Sequence, residues 1–151
     1  MVREKIHYEN NIQYLDMLLK TLKEGISLDI DKEYFTVKTI EDILFIDNTI
    51  DKIFTTLKEN IHLSKRALYL QMILKTKQSF IDLINRILRK EYFLSEHLSP
   101  IFPKLETSRS AHRKDIKEIK NTLVSIKASG QEAEDFISQD EYKFLLSKEE
   151  E

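Results

Sequence analysis

The two glycines and two prolines of this chain stand at Gly25, Pro100, Pro103 and Gly130, so from Ile26 to Ser99 neither residue interrupts the backbone. Average usage is about 7% glycine and about 5% proline, and strands joined by tight turns depend on both. Their scarcity excludes a β-sandwich or barrel and points to long helices. The bulk of the chain is Ile, Leu, Lys and Glu, which suits helices with one aliphatic face and one charged face. With 151 residues, 41% of them hydrophobic, a single domain can bury a core without staples.

Apolar spacing divides the chain. Ile12, Leu15, Leu18, Leu19 and Leu22 recur at three and four, predicting a first helix from about residue 4 to Glu24 with Gly25 as its left-handed stop. Residues 26–38 lose the period and read as an extended connector, with Asp31 capping a short turn through Phe35. A second helix starts at Thr39, with Asp42 three residues later, and carries Ile43, Ile46, Ile50, Ile53, Phe54, Leu57 and Ile61. After a break near residues 60–64, Ser64 caps a third helix that runs to about Leu94 on Tyr69, Ile73, Phe80, Leu83, Ile84 and Ile87. At 1.5 Å per residue it would be roughly 45 Å long, the spine of the fold.

Ser99-Pro100-Ile101-Phe102-Pro103 reads as the first turn of a fourth helix. The first four backbone N–H groups of a helix have no intrahelical partner, so neither proline removes a bond there. Ile101, Leu105, His112, Ile116, Ile119, Leu123 and Ile126 then fall on one stripe. Phe102 lies about 100° off that stripe, either plugging the junction with the third helix or exposed beside Arg109. Gly130 ends the helix. Ser138 and Glu141 form a capping box ahead of Tyr142, Leu145 and Leu146. The expected fold is all-α: an antiparallel bundle of four main helices over about residues 1–129, with a long third helix. An acidic amphipathic segment over 130–151 either docks on the bundle or binds a partner.

Function classes are bounded mainly by what the sequence lacks. No cysteine is present, which removes disulfides, thiolate nucleophiles and thiolate metal sites. There is no G-x-S-x-G elbow and no glycine-rich phosphate loop. The N-terminus has mixed charge, and no apolar run reaches the length of a membrane helix, so a cytoplasmic, non-membrane protein is expected. Glu4/His7 and Glu59/His62 have the Glu-x-x-His spacing of di-metal bundles, but Glu59 sits half a turn from its apolar stripe, so no metal or other cofactor is expected. His112, on the apolar stripe, reads as a packed imidazole bonded to Asp115 or to a residue on a facing helix.

Charge is distributed unevenly. Residues 1–62 hold 8 Lys/Arg and 12 Asp/Glu, residues 63–127 hold 14 and 6, and residues 128–151 hold 2 and 8. Arg109, Arg113, Lys117 and Lys120 line one edge of the fourth helix, and Lys75, Arg86 and Arg89 lie on the solvent side of the third. In a hairpin these sets form a cationic surface, interrupted by Asp82, Glu106 and Glu118. Either the acidic first helix or the tail covers that surface, or it binds nucleic acid through phosphate contacts. In size, in its long helices and in its separable C-terminal segment, the chain is similar to the bacterial flagellar and type III export chaperones. That resemblance implies a helical protein-binding module. The expected function is a non-catalytic protein–protein interaction module, an adaptor or chaperone-like protein, or one that self-associates. A nucleic-acid-binding accessory protein using residues 63–127 is the alternative.

Overall fold

The computed structural model describes residues 7–148. They form five α-helices and, among the described residues, no strand: α1 (Tyr8–Asp31), α2 (Val37–Glu59), α3 (Arg66–Leu88), α4 (Ile101–Ser129) and α5 (Gln139–Ser147). The predicted start of α1 near residue 4 lies outside the described residues. The all-α bundle expected from the sequence is what forms.

α3 is the central helix. Fourteen of its 23 residues are buried, and it packs against α1, α2, α4 and α5. Contacts between α1 and α3 climb in the same direction along both helices. Tyr8 stacks on Tyr69 with ring centroids 5.2 Å apart, Thr76 bonds Asp16 and Arg86 bonds Ser27. These two helices are therefore parallel, with α2 and α4 running antiparallel to α3. The apolar stripes read from the sequence meet in one core that joins all five helices.

Several boundaries differ from expectation. α1 runs through Gly25 to Asp31 because Ile26 continues the Leu19–Leu22 stripe and is fully buried. A mid-helix glycine costs only about 1 kcal/mol, which that burial outweighs. The connector is correspondingly a short loop, not an extended stretch. The buried Asp29 carboxylate accepts from the Thr36 N–H at 3.0 Å and from its hydroxyl at 3.2 Å, and the Thr36 hydroxyl in turn caps α2 at the Thr39 N–H. Thr36, not Thr39, is thus the cap. Phe35, fully buried, bonds its N–H to the Phe93 carbonyl.

The break near residues 60–64 is real, but Ser64 is not the cap. Lys65, at φ 62°, turns the chain into α3, and Ile61 stands exposed in the loop. α3 stops at Leu88, and a short 3-10 turn at Glu91–Phe93 follows. α3 is therefore about 35 Å long rather than 45 Å, and the 29-residue α4 is the longest helix. α4 does begin at the prolines. Pro100 has helical angles and Ile101 is buried, while the Ser99 hydroxyl donates back to the Glu96 carbonyl instead of capping. Gly130, at φ 78°, ends α4, and Ser138 caps α5 at the Glu141 N–H, both as expected.

Candidate interaction site

Two clusters of charge lie on opposite sides of α3. The first is internal. Lys77, four residues after Ile73 and three before Phe80, falls on the buried stripe and is fully buried. Its ammonium stands 2.9 Å from His112 Nδ1, 3.1 Å from Asp115 Oδ2 and 3.7 Å from Asp51 Oδ1. It also lies 4.7 Å from the centre of the Phe54 ring, a cation–π contact. The other ring nitrogen of His112, Nε2, lies 2.6 Å from Asp47 Oδ1. With the ammonium donating to Nδ1, the proton on Nε2 is the one given to Asp47, which fixes the tautomer. Phe80 meets the imidazole edge-on.

The cluster bolts α2, α3 and α4 together. Burial pushes the Asp51 carboxyl above its usual range, against the opposing pull of Lys77. Asp47, Asp51 and His112 each offer a ligand atom within 4.8 Å of one another, a spacing that can hold a cation. The Lys77 ammonium already supplies positive charge among these carboxylates. Neither surface depression described below is lined by any of these residues, so the Asp–His–Lys array has no route to a substrate through them. His112 is therefore the packed imidazole that the sequence suggested, bonded to Asp47 on a facing helix, with Asp115 serving Lys77 instead. Of the Glu-x-x-His pairs, Glu59 and His62 are exposed and Glu4 lies outside the described residues.

The second cluster faces water. A groove of about 770 Å³ opens between α1 and α3, with Leu19 and Leu83 contributing apolar lining. Lys20 and Lys23 come from α1, Lys75 and Arg86 from α3, and Arg89 from the residue that ends α3. Two carboxylates share this lining, and each has a partner. Asp16 accepts from the Thr76 hydroxyl at 2.8 Å, and burial raises its carboxyl above the usual range despite that bond and the nearby Lys75. Asp82 pairs with Lys148 at 2.9 Å. Among the described residues, Lys20, Lys23 and Lys75 form no ion pair. A smaller depression of about 280 Å³ adjoins through Asn85 and Arg89, which line both, and adds Phe102, Leu88, Glu106 and Arg109.

Five residues singled out from the sequence thus come together along these two depressions: Lys75, Arg86, Arg89, Arg109 and Phe102. Phe102 is half-buried, packed on the core and lining the smaller depression with Arg109, which agrees with its expected place at the junction with α3. The other candidates lie elsewhere. Lys117 is exposed on α4, and Arg113 is half-buried with its Nε shielded from water and unpaired. Lys120 donates to the Lys148 carbonyl at 2.7 Å. Tyr142 and Leu145 are buried and Leu146 is half-buried, because the C-terminal segment docks along α3.

That docking owes little to the acidity of the tail. The buried Gln71 donates to the Asp135 carbonyl and accepts from the Ile137 N–H, and the buried Gln78 donates to the Leu145 carbonyl. Lys127 lies 4.0 Å from the centre of the Tyr142 ring. The first helix does lie against α3, as does the tail, but α1 also adds two lysines, Lys20 and Lys23, to the groove. The sequence reading missed Lys20, Lys23 and Lys77. Lys77 had a visible signal, a cation at a core position of a regular stripe.

No protein-family model matches this chain, and no solved structure matches it. It is similar to an uncharacterized protein of Treponema pallidum (strain Nichols), 23% identical over 145 residues, a match spanning 92% of this chain and 72% of that protein.

Proposed function

We propose that this chain is a non-catalytic helical protein–protein interaction module, adaptor-like or chaperone-like, whose α1–α3 groove receives an acidic amphipathic helix of a partner protein. One observation carries the reading: an open groove rimmed by Lys20, Lys23, Lys75 and Arg86, whose two carboxylates, Asp16 and Asp82, are already partnered. Helix-in-groove recognition needs an apolar surface to bury and a charged rim to orient the guest. Lys20, Lys23, Lys75 and Arg86 provide both, their aliphatic stems the apolar surface and their cationic ends the rim, since Leu19 and Leu83 below them are each only 5% exposed. Charge complementarity selects an acidic guest and speeds its encounter.

Nucleic acid fits less well. No aromatic side chain lines the larger groove on which a base could stack.

A phage-displayed library of random 16-residue peptides, panned on the purified chain, tests the reading. The expected winners are acidic and amphipathic, and their affinity falls at least tenfold when Lys20, Lys23 and Lys75 are changed to Glu. Winners without acidic bias, or winners indifferent to those reversals, overturn it.

A further inference from the structure

We infer that the smaller depression is the specificity anchor of that groove: Arg109 there captures one acidic side chain of the partner helix while Phe102 and Leu88 take an apolar side chain one turn away. The inference rests on the groove reading above and adds to it a single position that the partner must satisfy.

The geometry separates Arg109 from the lysines of the rim. Its Nη1 donates to Asn85 Oδ1 at 2.8 Å, and Asn85, only 5% exposed, is itself fixed in the body of α3. The guanidinium is therefore held in one orientation before any partner arrives. Lysines on an exposed rim must be ordered on binding, which costs rotamer entropy that Arg109 has already lost in folding. Arg109 is also half-buried, and its Nε is shielded from water without a hydrogen-bond partner in the fold. A cation in that setting interacts with an incoming carboxylate more strongly than one surrounded by water. Glu106 lines the same depression yet forms no ion pair with Arg109 among the described residues, so the fold does not already satisfy the charge.

Shape points the same way. About 280 Å³ admits one or two side chains, not a helix. Phe102 and Leu88 add apolar lining beside the charge. A carboxylate and an aliphatic or aromatic side chain on adjacent turns of one helix satisfy both halves of the depression together. Because Asn85 and Arg89 line both hollows, a helix lying in the groove reaches this end without leaving α3.

The test uses a 16-residue peptide selected in the panning described above, with fluorescence anisotropy as the readout. Arg109→Gln, which retains a donor for Asn85, is expected to weaken binding five- to twentyfold with an unchanged thermal midpoint. Phe102→Ala is expected to weaken it by a similar factor, and Lys117→Gln to leave it unchanged. Each acidic residue of the peptide is then replaced by its amide. One such replacement should lose its effect in the Arg109→Gln background, as coupled partners do. Tight binding that ignores Arg109→Gln overturns the anchor while leaving the groove intact. Coupling of Arg109 to the free C-terminal carboxylate of the peptide, lost on amidation, overturns the choice of a side chain. Failure of every selected peptide to respond to the Lys20, Lys23 and Lys75 reversals removes the groove reading itself.

Discussion

Lys75 and Lys77 are two residues apart on one helix and have opposite fates. Two residues are about 200° of helical turn, which carries one lysine to each side of α3. Lys77 is sealed between α2 and α4 with a histidine and carboxylates around it, whereas Lys75 stands in an open groove beside Lys20 and Arg86 without an ion pair among the described residues. The internal cluster consumes its charge within the fold. The groove leaves its charge facing outward. The first arrangement contributes to which structure forms, and the second leaves Lys20, Lys23 and Lys75 without an ion pair among the described residues, which is why a partner is sought there.

The comparison breaks most visibly at Lys77. Lys77→Met strands His112 Nδ1 without a donor and leaves Asp115 and Asp51 without their cation. Removing one partner of a buried charge pair costs about 3–5 kcal/mol, and because the Asp51 and Asp115 side chains keep 54% and 23% of their surface in water, urea unfolding should show a loss at or below the lower end of that range. Adding Asp51→Asn and Asp115→Asn should recover part of it, because those are the carboxylates left without a cation. A Lys77→Met variant as stable as the parent would show that the ammonium is not engaged as described.

Next in size is the tail. Deleting residues 131–151 exposes Gln71 and Gln78, which now bond the tail backbone, and removes the burial of Tyr142 and Leu145. Burying one such side chain contributes about 1.5–3 kcal/mol. The thermal midpoint should therefore fall by about 10 °C. No fall would mean that α5 is detachable, and the docked segment would then belong with the groove as a surface for partners.

How much of this was legible in the sequence follows from the kind of residue involved. The apolar stripes of α2, α3 and α4 were readable because burial imposes a 3.6-residue period, and Gly130 and Ser138 were readable because local geometry alone decides them. Gly25 misled because its local preference to end a helix lost to Ile26, whose burial depends on elements far along the chain. Thr36 was missed as a cap since its role depends on Asp29 across the loop. The groove was half legible. Lys75, Arg86 and Arg89 stood out in a basic segment, while Lys20 and Lys23 were hidden by the net acidity of residues 1–62. Parallel packing of α1 on α3, which no local pattern encodes, is what places them together.

Groove charges should be nearly silent in folding. Changing Lys20, Lys23 and Lys75 to Glu, one at a time, should move unfolding stability by no more than about 0.5 kcal/mol each. Lys75→Glu is the informative member of the set, since it also places a second carboxylate near Asp16. A loss on the scale expected for Lys77→Met would mean that the groove lysines are structural, and the contrast between the two sides of α3 would disappear.

The smallest effect sharpens the contrast from within the internal cluster. Asp51 is the half-exposed member, and burial holds its carboxyl above the ordinary value in spite of Lys77. A carboxyl whose folded pKa is raised favours the fold fully only below its unfolded value of 3.8, where it is neutral in both states. That contribution is lost as pH rises through the folded pKa, so at pH 7 the ionised Asp51 is a slight burden. Asp51→Asn should therefore be slightly more stable than the parent at pH 7, and the difference should fade as the pH is lowered towards 4. Because the group is half in water, solvent screening keeps the effect well below that of Lys77→Met. Paired urea titrations at pH 7 and pH 4 resolve it. If the variant is instead less stable at pH 7, the attraction of Lys77 outweighs desolvation at Asp51, and the cluster needs its third carboxylate as much as its first two.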